Sequence, residues 1–220
     1  MSAQYVPKGE RERDHESVIR RPSETRPLGL RNTDIKLLAK AWSRRLRPLL
    51  RQYICAAQRG FVWTRNLCQN IVDLDAYAYK IGVPSRRPDF PIIALFDIRS
   101  AFTSMAHKWI FHVHQQANFP DTYMYFLHAL YHMATVVDYH EGNQYIAYYI
   151  LSGAIQGCPS SGDVWAISFD PYINMLVEKI EAPSRGIIRA CADDIGAALR
   201  TIYVLHVFHA VCDLDSGLWK

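Results

Sequence analysis

The spacing of apolar and polar positions divides the 220 residues into a polar start, a helix-rich first part and several short apolar segments that end on acids. From Asn32, "NTDIKLLAKAWSRRLRPLL" places Ile35, Leu38, Trp42 and Leu46 three or four apart. This predicts an amphipathic helix capped by Asn32 or Thr33 and ended or kinked at Pro48. A second helix is predicted over about 64–80, with Leu67, Ile71 and Leu74 inward and Gly82 as its C-cap. "VPSRRPDFP" reads as a Pro-rich connection, and "PIIALFD" as a buried strand ending on Asp97. Helical patterns follow over 102–116 and 121–133, and "TVVDYHEGNQYIAYYIL" predicts a hairpin turning at Glu141-Gly142-Asn143. The small residues of "SGAIQGCPSSG" predict a loop. It leads into a helix bent at Pro171, with Val164, Ile167, Ile173 and Leu176 inward. "GIIRACADDIGAAL" reads as two short strands joined at Ala192-Asp193-Asp194, and a last helix is expected over about 202–214. Residues 1–24 are polar, charge-mixed and aperiodic, and are expected to be poorly ordered.

Half of the residues are hydrophobic and 21% charged, a composition that can bury a core. The net charge of +4 hides an asymmetry: residues 1–65 hold 15 Lys/Arg against 6 Asp/Glu, and the remainder hold 10 against 15. A basic segment joined to an acidic one points to a polyanion handled with metal ions, against the plainer reading of a solvated basic tail. Five widely spaced cysteines without a C-x-x-C pair argue against a disulfide framework and a zinc cluster. No apolar run reaches 18 residues and the start lacks a signal peptide's apolar region, so the chain is expected to be intracellular and off the membrane.

Candidate chemistry lies where apolar strands end on carboxylates: Asp97 after "IIALF", and Asp193 with Asp194 inside "IIRACADDI". Buried carboxylates repel one another and need a counter-charge, which hard divalent cations supply. Two such ions about 3.5–4 Å apart suit phosphoryl transfer. For the pair alone, a turn with exposed aspartates is the plainer reading. His128 and His132, at i and i+4, with His107, His112 and His114 nearby, invite a zinc site, yet no third ligand is evident. Ser160-Ser161 fits no nucleophile elbow.

Five segments occur in order: "RPLGLRNTDIKLLAK", "QRGFVWTRNLCQNI", "FDIRSAF", "SGAIQGCPSSG" and "ACADDI". In that order and spacing, over roughly 25–220, the chain resembles the reverse transcriptases of non-long-terminal-repeat (LINE-type) retrotransposons, which share these motifs with group II intron enzymes. The resemblance implies RNA-directed DNA synthesis, a nucleotidyl transfer to a primer 3′-hydroxyl. Asp97, Asp193 and Asp194 would be the catalytic acids. With the Ile98 carbonyl they would hold two Mg²⁺, Mn²⁺ being the other ion open to the site. Phe102 would exclude a ribonucleotide's 2′-hydroxyl. Gln156 and Gly157 would line the nucleotide's sugar, and Arg65, with Arg26 as a lesser candidate, would grip the triphosphate. Partners would be an RNA template, a DNA primer and a deoxynucleoside triphosphate, within a larger retrotransposon polyprotein working in nucleus and cytoplasm.

The implied fold is α+β, a right-hand polymerase fold with an antiparallel palm sheet, backing helices and a helix-rich fingers subdomain. Residues 1–24 would be a tail, 25–90 fingers and 91–220 palm, with 120–150 returning to the fingers. The chain ends at "LDSGLWK", so primer grip and thumb are expected to be absent. Some positions depart from the family pattern: Cys191 replaces an aromatic, Thr103 an Asp and Ser100 a Lys, while "CPSSG" stands for C-P-L-S-P. The alternative is a truncated or decayed, non-catalytic nucleic-acid-binding domain of the same fold, against which stands the retention of all three carboxylates.

Overall fold

The computed structural model describes residues 2–9, 18, 21, 24–30, 32–82, 90–98, 100–208 and 210. Strand β1 (Ser2–Pro7) pairs antiparallel with β2 (Thr25–Leu30), from Ser2 opposite Leu30 to Pro7 opposite Thr25. Within the expected tail, residues 2–7 form a strand, because their backbone donors and acceptors find a partner some twenty residues away that composition does not reveal; most of 10–23 lies outside the described residues.

Helix α1 (Thr33–Tyr53) starts where expected, but its Asn32 side chain makes no cap hydrogen bond. The buried stripe is Ala39, Ser43, Leu46 and Leu50, whereas Leu38 is 58% exposed. Ile35 and Trp42 sit at the stripe's edge, partly buried. Pro48 does not end the helix, which continues for five more residues. Proline removes one intrahelical hydrogen bond, and the anchoring of Leu46 and Leu50 on either side outweighs that loss.

Helix α2 (Cys68–Gly82) begins later than predicted, with the Asn66 side chain accepting from the Cys68 amide. Its inner face is Asn70 and Leu74; Leu67 and Ile71 are exposed, and Gly82 lies within the helix. The face is chosen by the sheet beneath, since the Asn70 amide donates to the Ala190 carbonyl and Leu74 packs over Gly196.

Three antiparallel strands form the main sheet in the order β3 (Ile92–Asp97), β7 (Asp194–Leu199), β6 (Gly186–Cys191). β3 is an edge strand and only half-buried, with Ile93 and Leu95 facing out, unlike the buried strand its apolar run suggested. A run of this length is compatible with one face or two, and the neighbouring strands decide.

Short α3 (Ala101–Ser104) and α4 (His107–Gln116) divide the expected helix over 102–116, with α5 (Asp121–Tyr131) after them. β4 (Ala134–His140) and β5 (Asn143–Ile150) make the predicted hairpin, with its turn at 141–142. Helix α6 (Ser161–Ile180) runs unbroken past the exposed Pro171 and is the centre of the core, burying Trp165, Ile167, Phe169, Ile173 and Leu176. The Cys55 amide donates to the Asp170 carboxylate at 2.7 Å, which ties the end of α1 to α6. Trp42 of α1 meets Tyr123 and Phe126 of α5, and β1 packs against β4. A 3₁₀ turn over Ile202–Val204 leads into helix as far as Phe208; most of the rest of the predicted last helix lies outside the described residues. Among the described residues, no helix is long and apolar enough to cross a membrane.

Candidate active site

The β6–β7 hairpin turns at Ala192 and Asp193, with Ala192 in the left-handed region at φ +57°. Register places Asp97 directly opposite Asp194, so two acids from different strands are cross-strand neighbours. Like charges in that position repel. Burial raises the Asp193 carboxyl above the ordinary carboxylate range, and the charges of Asp194 and Asp97 push it the same way. The Cys191 thiol is likewise raised by burial, then by Asp194 and Asp193.

Facing the acids, the loop over 151–160 docks on α3. Gly153 N–H donates to the Met105 carbonyl and Ala154 N–H to the Phe102 carbonyl, both at 2.7 Å. Gly157 has φ +92°, a conformation that a side chain would strain. The Phe102 ring stacks on Trp165, centroids 4.7 Å apart, and meets Phe61 edge-on at 5.4 Å. The result is a cavity of about 700 Å³ lined by Asp97, Ile98, Phe102, Gln156, Gly157 and Asp193, together with Lys8, Thr25 and Phe61.

Most of the residues singled out in the sequence therefore meet in one place. Asp194 is exposed and is not part of the cavity wall. Among the described residues, no three His, Cys, Asp or Glu side chains come together as a metal-holding group. Asp97, Asp193 and Ile98 line the cavity, and Asp194 stands opposite Asp97 across the β3–β7 register, just outside the wall. Their carboxylate and carbonyl oxygens are the hard donors that a divalent cation takes, so their chemistry fits one.

Arg65 lies outside the cavity wall, with its guanidinium turned to main-chain carbonyls. Its Nη1 donates to the carbonyls of Cys55 and Gln58, both at 2.6 Å, and its Nη2 to those of Arg51 at 2.8 Å and Ile54 at 2.6 Å. Four donors are spent on carbonyls of the last turn of α1 and of the segment just after it, so the fork is not directed at the acidic cavity. Arg26 lies in β2, its side chain outside the described residues. Three of the five histidines make internal contacts, while His112 and His132 are exposed. His107 Nε2–H donates to the Gly153 carbonyl, His114 is fully buried, and His128 lies flat on Phe111 with centroids 4.1 Å apart.

Sequence reasoning overlooked Lys8 and Thr25, which bring the ends of β1 and β2 to the cavity. It also missed the ion network behind the hairpin. Asp73 accepts from Gln69, Arg189 and Arg59, and these bonds hold its carboxyl well below the ordinary range. Arg189 also pairs with Glu181 at 2.9 Å. Gln58 and Gly60 were visible as motif letters, but no local pattern told what they touch.

A family model described as "Reverse transcriptase (RNA-dependent DNA polymerase)" matches residues 6–211. A curated relative, the "Transposon TX1 uncharacterized 149 kDa protein" of Xenopus laevis, is 26% identical over 77% of this chain. The chain spans 13% of that protein's length. Among solved structures, telomerase from Candida tropicalis in complex with a TWJ fragment of telomeric RNA aligns with TM-score 0.63 at 12% identity, covering 95% of this chain and 37% of that one. Apo telomerase from the same organism aligns with TM-score 0.61 at 9% identity, covering 82% of this chain and 34% of that one. These structures share the fold. The family match, spanning nearly all of the chain, identifies it as a member of the reverse transcriptase (RNA-dependent DNA polymerase) family.

Proposed function

We propose that the chain is the nucleotidyl-transfer part of an RNA-directed DNA polymerase, extending a DNA primer on an RNA template within a larger retrotransposon protein. The observation that carries this reading is the convergence of Asp97 and Asp193 with Phe102, Gln156 and Gly157 on one cavity. Asp97, Asp193 and Asp194, with the Ile98 carbonyl, would hold two Mg²⁺, with Mn²⁺ the alternative ion. Bound there, divalent cations would neutralise charge on the reacting phosphate and lower the pKa of the primer hydroxyl.

The chain's own residues position the reactants. Phe102, held between Trp165 and Phe61, presents an apolar ring where a 2′-hydroxyl would need room. Gly157 lets the loop backbone approach a sugar closely, and Gln156 offers an amide beside it. The assignment of the first ninety or so residues to fingers and of 91 onward to palm is part of the same proposal. Its support is the packing of α1 on α5 and of β1 on β4, which joins 120–150 to the first fifty residues. RNA and DNA as partners would put the work in nucleus and cytoplasm.

The test is extension of a DNA primer on an RNA template with Mg²⁺, for the wild-type chain and Asp193→Asn. Extension that disappears in the variant supports the reading; extension that survives it overturns the assignment of Asp193.

A further inference from the structure

Gln58, between α1 and α2, is 1% exposed and spends its amide group on one turn of a distant element. Its Oε1 accepts from the main-chain N–H of Ala192 at 2.9 Å and of Gly60 at 2.8 Å. Its Nε2 donates to the Ala192 carbonyl at 3.0 Å. Both backbone polar groups of Ala192, the residue immediately before Asp193, are therefore satisfied by one side chain.

The surrounding backbone explains why an amide is needed. Arg59 N–H donates to the Ala190 carbonyl, and Ala190 N–H to the Ala57 carbonyl, each at 2.8 Å. The segment 57–59 thus pairs with the end of β6 through a parallel bridge between Gln58 and Ala190. Beyond that bridge β6 bends into the turn, and Ala192 adopts its left-handed conformation. A primary amide carries the same acceptor and donor as a peptide group, so Gln58 continues the pairing past the point where the backbones diverge. A side chain without those atoms would leave the Ala192 N–H, the Ala192 carbonyl and the Gly60 N–H buried without these partners.

We propose that Gln58 is a positioning residue for the active site, fixing the peptide that carries Asp193 so that its carboxylate faces the cavity with Asp97. Gln58 is not part of the cavity wall, so it acts through Ala192. Three residues on, Phe61 packs against Phe102, so one short segment sets both the acid and the opposing ring. This inference rests on the reading of Asp97 and Asp193 as divalent-cation ligands.

The experiment measures Mn²⁺ binding by titration calorimetry on the full chain, with thermal unfolding and primer extension in parallel. The proteins are wild type, Asp193→Asn, Gln58→Met, Gln58→Glu and, as a remote destabilised control, Leu130→Ala. Gln58→Met keeps the volume and loses the polar contacts; it should weaken Mn²⁺ binding about tenfold or more, as loss of a group that orients a metal ligand does. It should also lower kcat with KM for the nucleotide unchanged. Gln58→Glu keeps the acceptor oxygen and loses the donor to Ala192, so it serves if the Met variant fails to fold, with a smaller loss expected. Leu130→Ala should lower Tm and leave Mn²⁺ affinity alone. A folded Gln58 variant with wild-type Mn²⁺ affinity and kcat overturns the inference while the functional reading stands. Wild-type Mn²⁺ binding that Asp193→Asn does not weaken overturns the functional reading itself, and this inference with it.

Discussion

Gly60 and Ala192 touch backbone to backbone: a Cβ built on Gly60 would lie 2.1 Å from the Ala192 nitrogen and 2.8 Å from the Cys191 carbonyl carbon. Neither neighbour is a side chain that could swing away. Space, and not conformational freedom, is what glycine supplies here. Gly60→Ala is therefore expected to push the Asp193 turn out of place, with a stability cost of about 1–3 kcal/mol for overpacking. Denaturant unfolding and primer extension should both register the change. Unaltered stability with full extension would show that the two backbones do not meet in this way.

Arg65 holds the chain where α1 ends, and its hydrogen bonds set a structural role against the expected grip on a triphosphate. Four of its donors go to main-chain carbonyls. Arg65→Ala should destabilise the chain by roughly 2–3 kcal/mol, the scale of losing hydrogen bonds from a charged donor to partly buried carbonyls. Arg65→Lys should rescue little, since an ammonium cannot span the four oxygens as a planar fork does. In the folded fraction of either variant, KM for the nucleotide should stay near wild type. A large rise in KM with little change in Tm would return Arg65 to the triphosphate.

What the sequence made legible was set by periodicity and by where apolar runs end. Asp97 and Asp193 closed such runs, and both reach the cavity; the turn after His140 followed from Glu-Gly-Asn. Local rules failed where distant contacts outvoted them. Pro48 and Pro171 sit inside continuous helices because each helix is anchored to the core on both sides of its proline. On α2 a correct helical period still left the inner face open, and Asn70 was chosen over Ile71 by the Ala190 carbonyl. Gln58 was visible only as a motif letter, and no local pattern showed its contact with Ala192, 134 residues away.

On the proposed function, Phe102 would act by bulk. It is half-buried between Trp165 and Phe61, so its ring has little freedom to withdraw from the cavity. Phe102→Val should admit ribonucleotides, raising their incorporation relative to deoxynucleotides by at least about tenfold, a pocket-size effect of ordinary magnitude. Because Val keeps an apolar contact with Trp165, deoxynucleotide extension should persist and serve as the internal reference. Unchanged discrimination would assign the ring to packing alone.

His114 makes acid stability a readable property of the helical side of the fold. It is fully buried on α4, with Nδ1–H donating to the Ile110 carbonyl at 2.7 Å and the rings of Phe119 and Tyr123 alongside. Burial lowers its pKa from 6.5 to about 4, so the folded state keeps the imidazole neutral. Between those values the unfolded chain binds the extra proton and the folded chain does not. Stability from this site is therefore complete above about pH 6.5 and declines as pH falls towards 4, by on the order of 3 kcal/mol in all. Asp163 and Asp170, whose carboxyls burial raises, act in the opposite sense but are common to wild type and variant. His114→Leu should thus be the less stable protein or its equal at pH 7.5, and gain on wild type steadily as the solution is acidified to pH 4.5. Denaturant midpoints at the two pH values measure this. Parallel losses in the two proteins would show that His114 titrates alike in both states.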